Sequence, residues 1–166
     1  MTTAPVALSM RICSLGKVKA AMMAKQYKLD LYYLRIAGLA AANSVDPSTR
    51  VGCIIVNGGA IVSDGWNGTP SGFHTNETRD EYGEAHAYVV HAEANALAKC
   101  ARLGHATQNA TMYINTGPCP DCVKIIKQAG ITRVVYAKPY RMASGPAMLE
   151  DMGIIVDHID PELENA

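Results

Sequence analysis

Two short segments, His91-Ala92-Glu93 and Pro118-Cys119-Pro120-Asp121-Cys122, constrain this chain more than anything else in it. An imidazole and two thiolates at that spacing fill three corners of a tetrahedron and leave the fourth open. That is the donor count of a catalytic zinc, since a structural zinc takes four protein ligands. Glu93 follows His91 by two residues, beside the open corner but poorly placed to bind the metal as well. A carboxylate there can take a proton from water and hand it on. Read separately, Cys119 and Cys122 would also suit a redox pair, or two buried thiols next to an unrelated histidine. The presence of Pro118, Glu93 and a strand-like stretch between the segments favours one catalytic Zn2+ held by His91, Cys119 and Cys122.

Both segments also open helices. The run after His91 is rich in helix formers and ends near Gly104. Pro120 suits a first helical turn, and Val123, Ile125, Ile126 and Ala129 form an apolar stripe that Gly130 stops. Free N–H groups and partial positive charge at two helix N-termini would favour thiolates at Cys119 and Cys122.

The rest of the chain frames this centre. With 166 residues there is room for one domain with a proper core. The 49% hydrophobic and 18% charged content is that of an ordinary globular protein. Fifteen basic residues balance fifteen acidic ones, so the basic excess of a protein that binds large nucleic acids is missing. Five cysteines, an odd number, two of them assigned to zinc, indicate a reducing compartment, with Cys13, Cys53 and Cys100 as free thiols. No stretch reaches transmembrane length. Several cations and no acid precede Asp30, a pattern shared by transit segments and by solvated helical extensions; the cytoplasm is the expected location.

In chain order, residues 17–25 could form a helix with a thin apolar face. Residues 29–43 form a better one, with Leu31, Leu34, Ile36, Leu39 and Ala40 turned to the core. Residues 51–56 are nearly all apolar, as a strand covered on both faces should be. Asn57-Gly58-Gly59 turns it into an antiparallel partner at 60–66. A long connection, 67–90, carries few core residues and is expected to be functional or poorly ordered. After the first zinc helix come strands at 111–115, 133–136 and 154–156, with the second zinc helix and a short helix at 145–153 between them. The last helix implies a parallel crossover. The expected fold is α/β, a three-layer α/β/α sandwich on a five-stranded mixed sheet. Its domain should span residues 29–160, after an extension at 1–28 and before a polar tail at 161–166.

These segments resemble the cytidine deaminase superfamily, and more narrowly the deoxycytidylate (dCMP) deaminases of phage and cells. The resemblance runs over residues 29–156. It is carried by Asp46-Pro47-Ser48-Thr49-Arg50-Val51-Gly52, Gly65-Trp66-Asn67-Gly68-Thr69-Pro70-Ser71-Gly72, Tyr88-Val89-Val90-His91-Ala92-Glu93 and Gly117-Pro118-Cys119-Pro120-Asp121-Cys122. The zinc segments belong to the whole superfamily, while the Asn-Gly-x-Pro-x-Gly loop leans towards dCMP deaminases. The resemblance implies a cytidine-deaminase-like fold and hydrolysis of dCMP to dUMP with release of ammonia. Glu93 would take a proton from water at the open metal position and deliver it to N3 of the pyrimidine.

Asn67 matches the superfamily position that contacts the sugar, although a plain turn asparagine before Gly68 reads equally well. Gly117 stands where many relatives carry an acidic or hydroxylic residue, so any substrate contact must come from its backbone. Arg50 is the expected cation for the 5′-phosphate, because its planar fork suits a phosphate. The resemblance also implies a homo-oligomer, often a hexamer, with dCTP and Mg2+ activating and dTTP inhibiting near Gly68, Thr69, Pro70 and Ser71. Some relatives hold a second zinc through Cys and His in the long loop; here residues 67–90 contain His74 and His86 but no Cys. Two other readings stand beside this one. Gly65-Trp66-Asn67 also occurs in tRNA adenosine deaminases, against which the neutral charge counts. A non-catalytic zinc module would have no need of Glu93.

Overall fold

The strand Gly52–Asn57 (β1) lies inside the sheet, and Cys53, Ile54 and Ile55 on its two faces are at most 1% exposed. This is why its sequence is apolar without alternation. The computed structural model describes residues 5–140 and 144–161, with side chains from Val18 onward. From β1 the chain turns at Asn57-Gly58-Gly59 into Ala60–Trp66 (β2), antiparallel, with a bulge between Ile55 and Val56. Thr111–Thr116 (β3) lies antiparallel on the other side of β1. Arg133–Lys138 (β4) and Ile155–His158 (β5) add in parallel, giving the order β2-β1-β3-β4-β5. The expected five-stranded mixed sheet is present, with the hairpin and the parallel crossover where the sequence puts them.

Among the described residues four helices cover the sheet: Pro5–Ala41 (α1), Ala92–Leu103 (α2), Pro120–Gln128 (α3) and Ser144–Asp151 (α4). One apolar layer joins β1, β3 and β4 to α2, α3 and α4 through Ala96, Cys100, Val123, Ile126 and Leu149. The other face packs on α1 through Tyr33, Leu34, Ala37 and Ala40. The result is the three-layer sandwich. No helix among the described residues is long and apolar enough to cross a membrane.

Three local expectations are revised. The separate stretches 17–25 and 29–43 form one helix through the 28/29 boundary, since no Gly or Pro interrupts residues 17–37 and good helix formers fill them. Leu39, expected in the core, is 72% exposed; Tyr33 and Ala37 hold the buried stripe instead. Ile125 of α3 likewise faces outward, and Cys122, Val123 and Ile126 face the core. Cys53 and Cys100 are buried free thiols as expected, while the side chain of Cys13 lies outside the described residues.

The seat of α1 is set by charge as well as by packing. Asp30, 2% exposed, accepts two hydrogen bonds from Arg133 at 2.8 Å, one from Tyr113 at 2.8 Å and one from Gln26 at 2.9 Å. Burial alone would raise its pKa; the hydrogen bonds from Arg133, Gln26 and Tyr113 outweigh burial and hold it below the usual carboxylate value. Arg133 also meets Asp157 of β5 at 2.7 Å, so one guanidinium ties α1, β4 and β5 together.

Candidate metal centre and active-site cavity

The residues just before α2 and α3 are the metal-ligand candidates. His91 caps α2 in an extended conformation, and its side chain makes no capping hydrogen bond, which leaves the imidazole available. Cys119 caps α3, its sulfur accepting from the Cys122 backbone N–H at 3.5 Å, and Pro120 starts the helix. His91 Nδ1 lies 3.4 Å from Cys119 Sγ and 3.3 Å from Cys122 Sγ. All three donor atoms fall within 4.8 Å of one another. Zinc bonds of ordinary length imply tetrahedral edges of about 3.5 Å between N and S and about 3.8 Å between two S atoms. The donor set fits zinc.

Electrostatics agree with the geometry. The Cys119 thiol is lowered to about 4, because Cys122 donates a hydrogen bond to its sulfur and His91 donates another. Cys122 is pushed far up by that same shared hydrogen bond and by burial, so the two sulfurs titrate as one unit. Glu93, 3% exposed, is raised above the ordinary carboxylate range by burial. A buried carboxyl in the cavity wall beside the donor set is placed as a proton acceptor and donor.

A cavity of about 310 Å3 opens over this centre, and His91, Glu93 and Cys119 line it. One wall comes from the turn before β1, with Asp46, Ser48, Thr49 and Val51, together with Asn67 at the end of β2. The long connection supplies Arg79, Ala85 and Val89; the loops after β3 and β4 supply Thr116, Gly117, Pro139 and Tyr140. The connection 67–90 is ordered: Gly68 and Val90 exchange backbone hydrogen bonds of 3.1 and 2.8 Å, closing its ends. It folds over the site as a wall.

The residues singled out in the sequence separate into three groups. His91, Cys119, Cys122 and Glu93 meet at one point. Asn67 and Gly117 line the cavity, yet both already have structural work. Asn67 accepts from Val51 N at 2.8 Å and donates to Thr49 O at 2.9 Å, bracing the turn, with one amide hydrogen and a lone pair left over. The Gly117 N–H is committed to Lys138 O at 2.8 Å, so its carbonyl oxygen is what remains for a ligand. Arg50 is not brought to the cavity. It is exposed at the strand end and absent from the cavity lining, its Nε donating to the Asp46 carbonyl oxygen at 3.4 Å. Gly68, Thr69, Pro70 and Ser71 lie outside the cavity lining, Gly68 buried and Pro70 and Ser71 exposed.

Sequence reasoning overlooked Asp46, Ser48, Thr49, Arg79 and Tyr140. Asp46-Pro47-Ser48 has the composition of an Asx turn, which would have marked Asp46 as a structural acceptor. Arg79 is the only Lys or Arg in residues 67–90, and that was its one signal.

A mixed α/β/α sheet carrying an open His/Cys/Cys triad at two helix N-termini, with a buried carboxylate alongside, defines a zinc-dependent deaminase domain. The family model for the cytidine and deoxycytidylate deaminase zinc-binding region matches residues 27–138, and the chain belongs to that family. It is 38% identical to a deoxycytidylate deaminase of Saccharomyces cerevisiae over 76% of this chain and 43% of the yeast protein. It is 32% identical to the deoxycytidylate deaminase of Enterobacteria phage T2, covering 64% of this chain and 78% of that one. The structure of the dCMP deaminase of cyanophage S-TIM5 in complex with dCMP and dUMP superposes with a TM-score of 0.78 at 39% identity. That match covers 80% of this chain and 97% of the phage chain. The chain thus spans less than half the length of the yeast relative and nearly all of the cyanophage one.

Proposed function

We propose that this chain hydrolyses dCMP to dUMP and ammonia. The observation that carries the reading is Glu93, buried beside three donors spaced for zinc, in a protein 39% identical to one whose structure holds dCMP and dUMP. His91, Cys119 and Cys122 would hold the metal, which when bound supplies a Lewis acid that makes water a nucleophile near neutral pH. Glu93 takes the proton from the attacking water and gives it to N3 of the pyrimidine. It then takes the second proton of that water, now on the C4 hydroxyl, and passes it to the amino group; the C4–N bond breaks, ammonia leaves and C4 becomes a carbonyl. One carboxylate can do all of this because it sits buried in the cavity wall beside the donor set, and burial raises its pKa and so eases its return to the protonated form. The walls from residues 67–90 enclose the base and limit competing water. Asn67, by its remaining amide hydrogen, and Gly117, by its carbonyl, are the proposed contacts to the nucleoside.

Family membership supports the same reading for the rest of the protein's behaviour: a cytoplasmic homo-oligomer, with dCTP and Mg2+ activating and dTTP inhibiting through Gly68–Ser71. Purified protein given dCMP should form dUMP and ammonia in equal amounts. Chelation should stop the reaction and Zn2+ should restore it. Absence of turnover with stoichiometric zinc bound would overturn the reading.

A further inference from the structure

If the site takes a nucleotide, something in its wall must recognise the phosphate, and the expected residue, Arg50, faces solvent outside the cavity. Among the described residues that line it, Arg79 is the only Lys or Arg. We propose that Arg79 is the specificity residue for the 5′-phosphate and that Asp46 is its positioning residue. This rests on the deaminase reading of the site and names the group that would select the monophosphate over the nucleoside.

The geometry is that of a prepared donor. Arg79 Nε donates to Asp46 Oδ1 at 3.0 Å, and one Nη donates to Gly83 O at 2.8 Å. A guanidinium has five N–H donors in a fixed fork, so these two bonds orient the group while leaving others to face a ligand. Its side chain is 19% exposed and that of Asp46 is 1% exposed. The same Asp46 oxygen accepts from Ser48 N at 2.9 Å and Thr49 N at 2.8 Å. One carboxylate therefore fixes both the arginine and the turn whose Ser48 and Thr49 stand in the same wall.

A phosphate monoester meeting such a wall finds a held cation and two hydroxyl-bearing side chains, and little rotamer freedom is lost on binding. The competing account makes the pair only a strap between residues 67–90 and the β1 turn. A strap should affect every substrate alike; a phosphate contact should affect only the phosphorylated one.

The experiment measures kcat/KM for dCMP and for deoxycytidine with the zinc-loaded wild type, Arg79→Gln, Arg79→Lys, Arg50→Gln and the double variant Asp46→Asn/Arg79→Gln. The double variant avoids stranding a buried Asp46 charge, and its Asn can still accept from the turn. Loss of one charge-assisted contact should lower kcat/KM for dCMP about 10- to 100-fold more than for deoxycytidine, mostly through KM. Arg79→Gln and the double variant should both show this split, Arg79→Lys should fall between them and wild type, and Arg50→Gln should leave the selectivity within about threefold. Equal losses on both substrates in Arg79→Gln and the double variant would overturn the proposal and leave the strap. So would a dCMP-specific loss in Arg50→Gln that is absent from Arg79→Gln. A wild type that prefers deoxycytidine overturns the dCMP reading first and this inference with it.

Discussion

Gly65 of β2 lies so close under the first turn of α2 that a Cβ on it would stand 2.4 Å from the Ala92 carbonyl oxygen. The same atom would be 2.6 Å from Ala96 N, so the strand supports the helix backbone directly. Ser63 Oγ donates to Ala96 O at 2.8 Å, and Asn95 Nδ2 donates to Trp66 O at 3.0 Å, fastening the helix on either side. His91 and Glu93 take their places from this contact.

Gly65→Ala should therefore displace α2 and the two site residues it carries. Overpacking of this kind costs about 1–3 kcal/mol. A shift near 1 Å at Glu93 would lower kcat by about a hundredfold. Urea denaturation and dCMP turnover measured on the same preparation test both effects. Unchanged kcat would show that the helix can lift without disturbing its first turn.

Glu93→Gln keeps the shape of the side chain and removes its ability to exchange protons. Zinc content should stay stoichiometric while kcat falls by about 10²–10⁴-fold, the usual worth of a general acid–base group. Metal analysis beside a rate assay measures both. A variant that keeps a large fraction of the wild-type rate would remove Glu93 from the proton path.

Cys119→Ala leaves two protein ligands in a site with little redundancy, so it should lose tight zinc binding and activity together. Part of the loss should appear as a lower melting temperature, since binding energy of a metal is also folding energy. Stoichiometric, chelator-resistant zinc in this variant would contradict the ligand set.

Asp30 ties α1 to the sheet far from the metal. Asp30→Ala should cost about 3 kcal/mol of stability, near the low end for a broken buried ion pair because Arg133 keeps Asp157. The folded-state pKa of Asp30 is held below its unfolded value, as is that of Asp46. The unfolded chain therefore takes up these protons first as the pH drops. The stability they contribute is complete above about pH 4, the unfolded carboxylate value, and is lost as pH falls through the lower folded values. Urea titrations across the acid range should show this slope in the wild type and a shallower one in Asp30→Asn. Equal slopes would assign the acid sensitivity elsewhere.

The chemistry at the centre was legible in the chain because it depends on local spacing. His91 and Glu93 share one helical turn, Cys119 and Cys122 share another, and caps and breakers declare where both helices begin. Strands β1 and β2 were legible for a similar reason: an apolar run, an Asn57-Gly58-Gly59 turn and a return strand are written in neighbouring residues. Which side of α1 faces the sheet was harder to read. Leu39 and Tyr33 are both apolar enough for a core, and only the packed partners of the helix decide between them.

The cavity wall belongs wholly to tertiary structure. Arg79 is separated from Asp46 by 33 positions, and no periodicity or motif predicts their contact. Arg50, four residues from Asp46, looked better placed, yet the turn leaves it in solvent. Sequence alone singled out His91, Cys119 and Cys122 as metal-ligand candidates and Glu93 beside them, and set the order of strands and helices after α1, because short-range geometry fixes which atoms neighbouring residues can share. The fold decided which distant side chains line the cavity, because a long loop closes wherever packing and one buried carboxylate hold it, and local composition does not encode that.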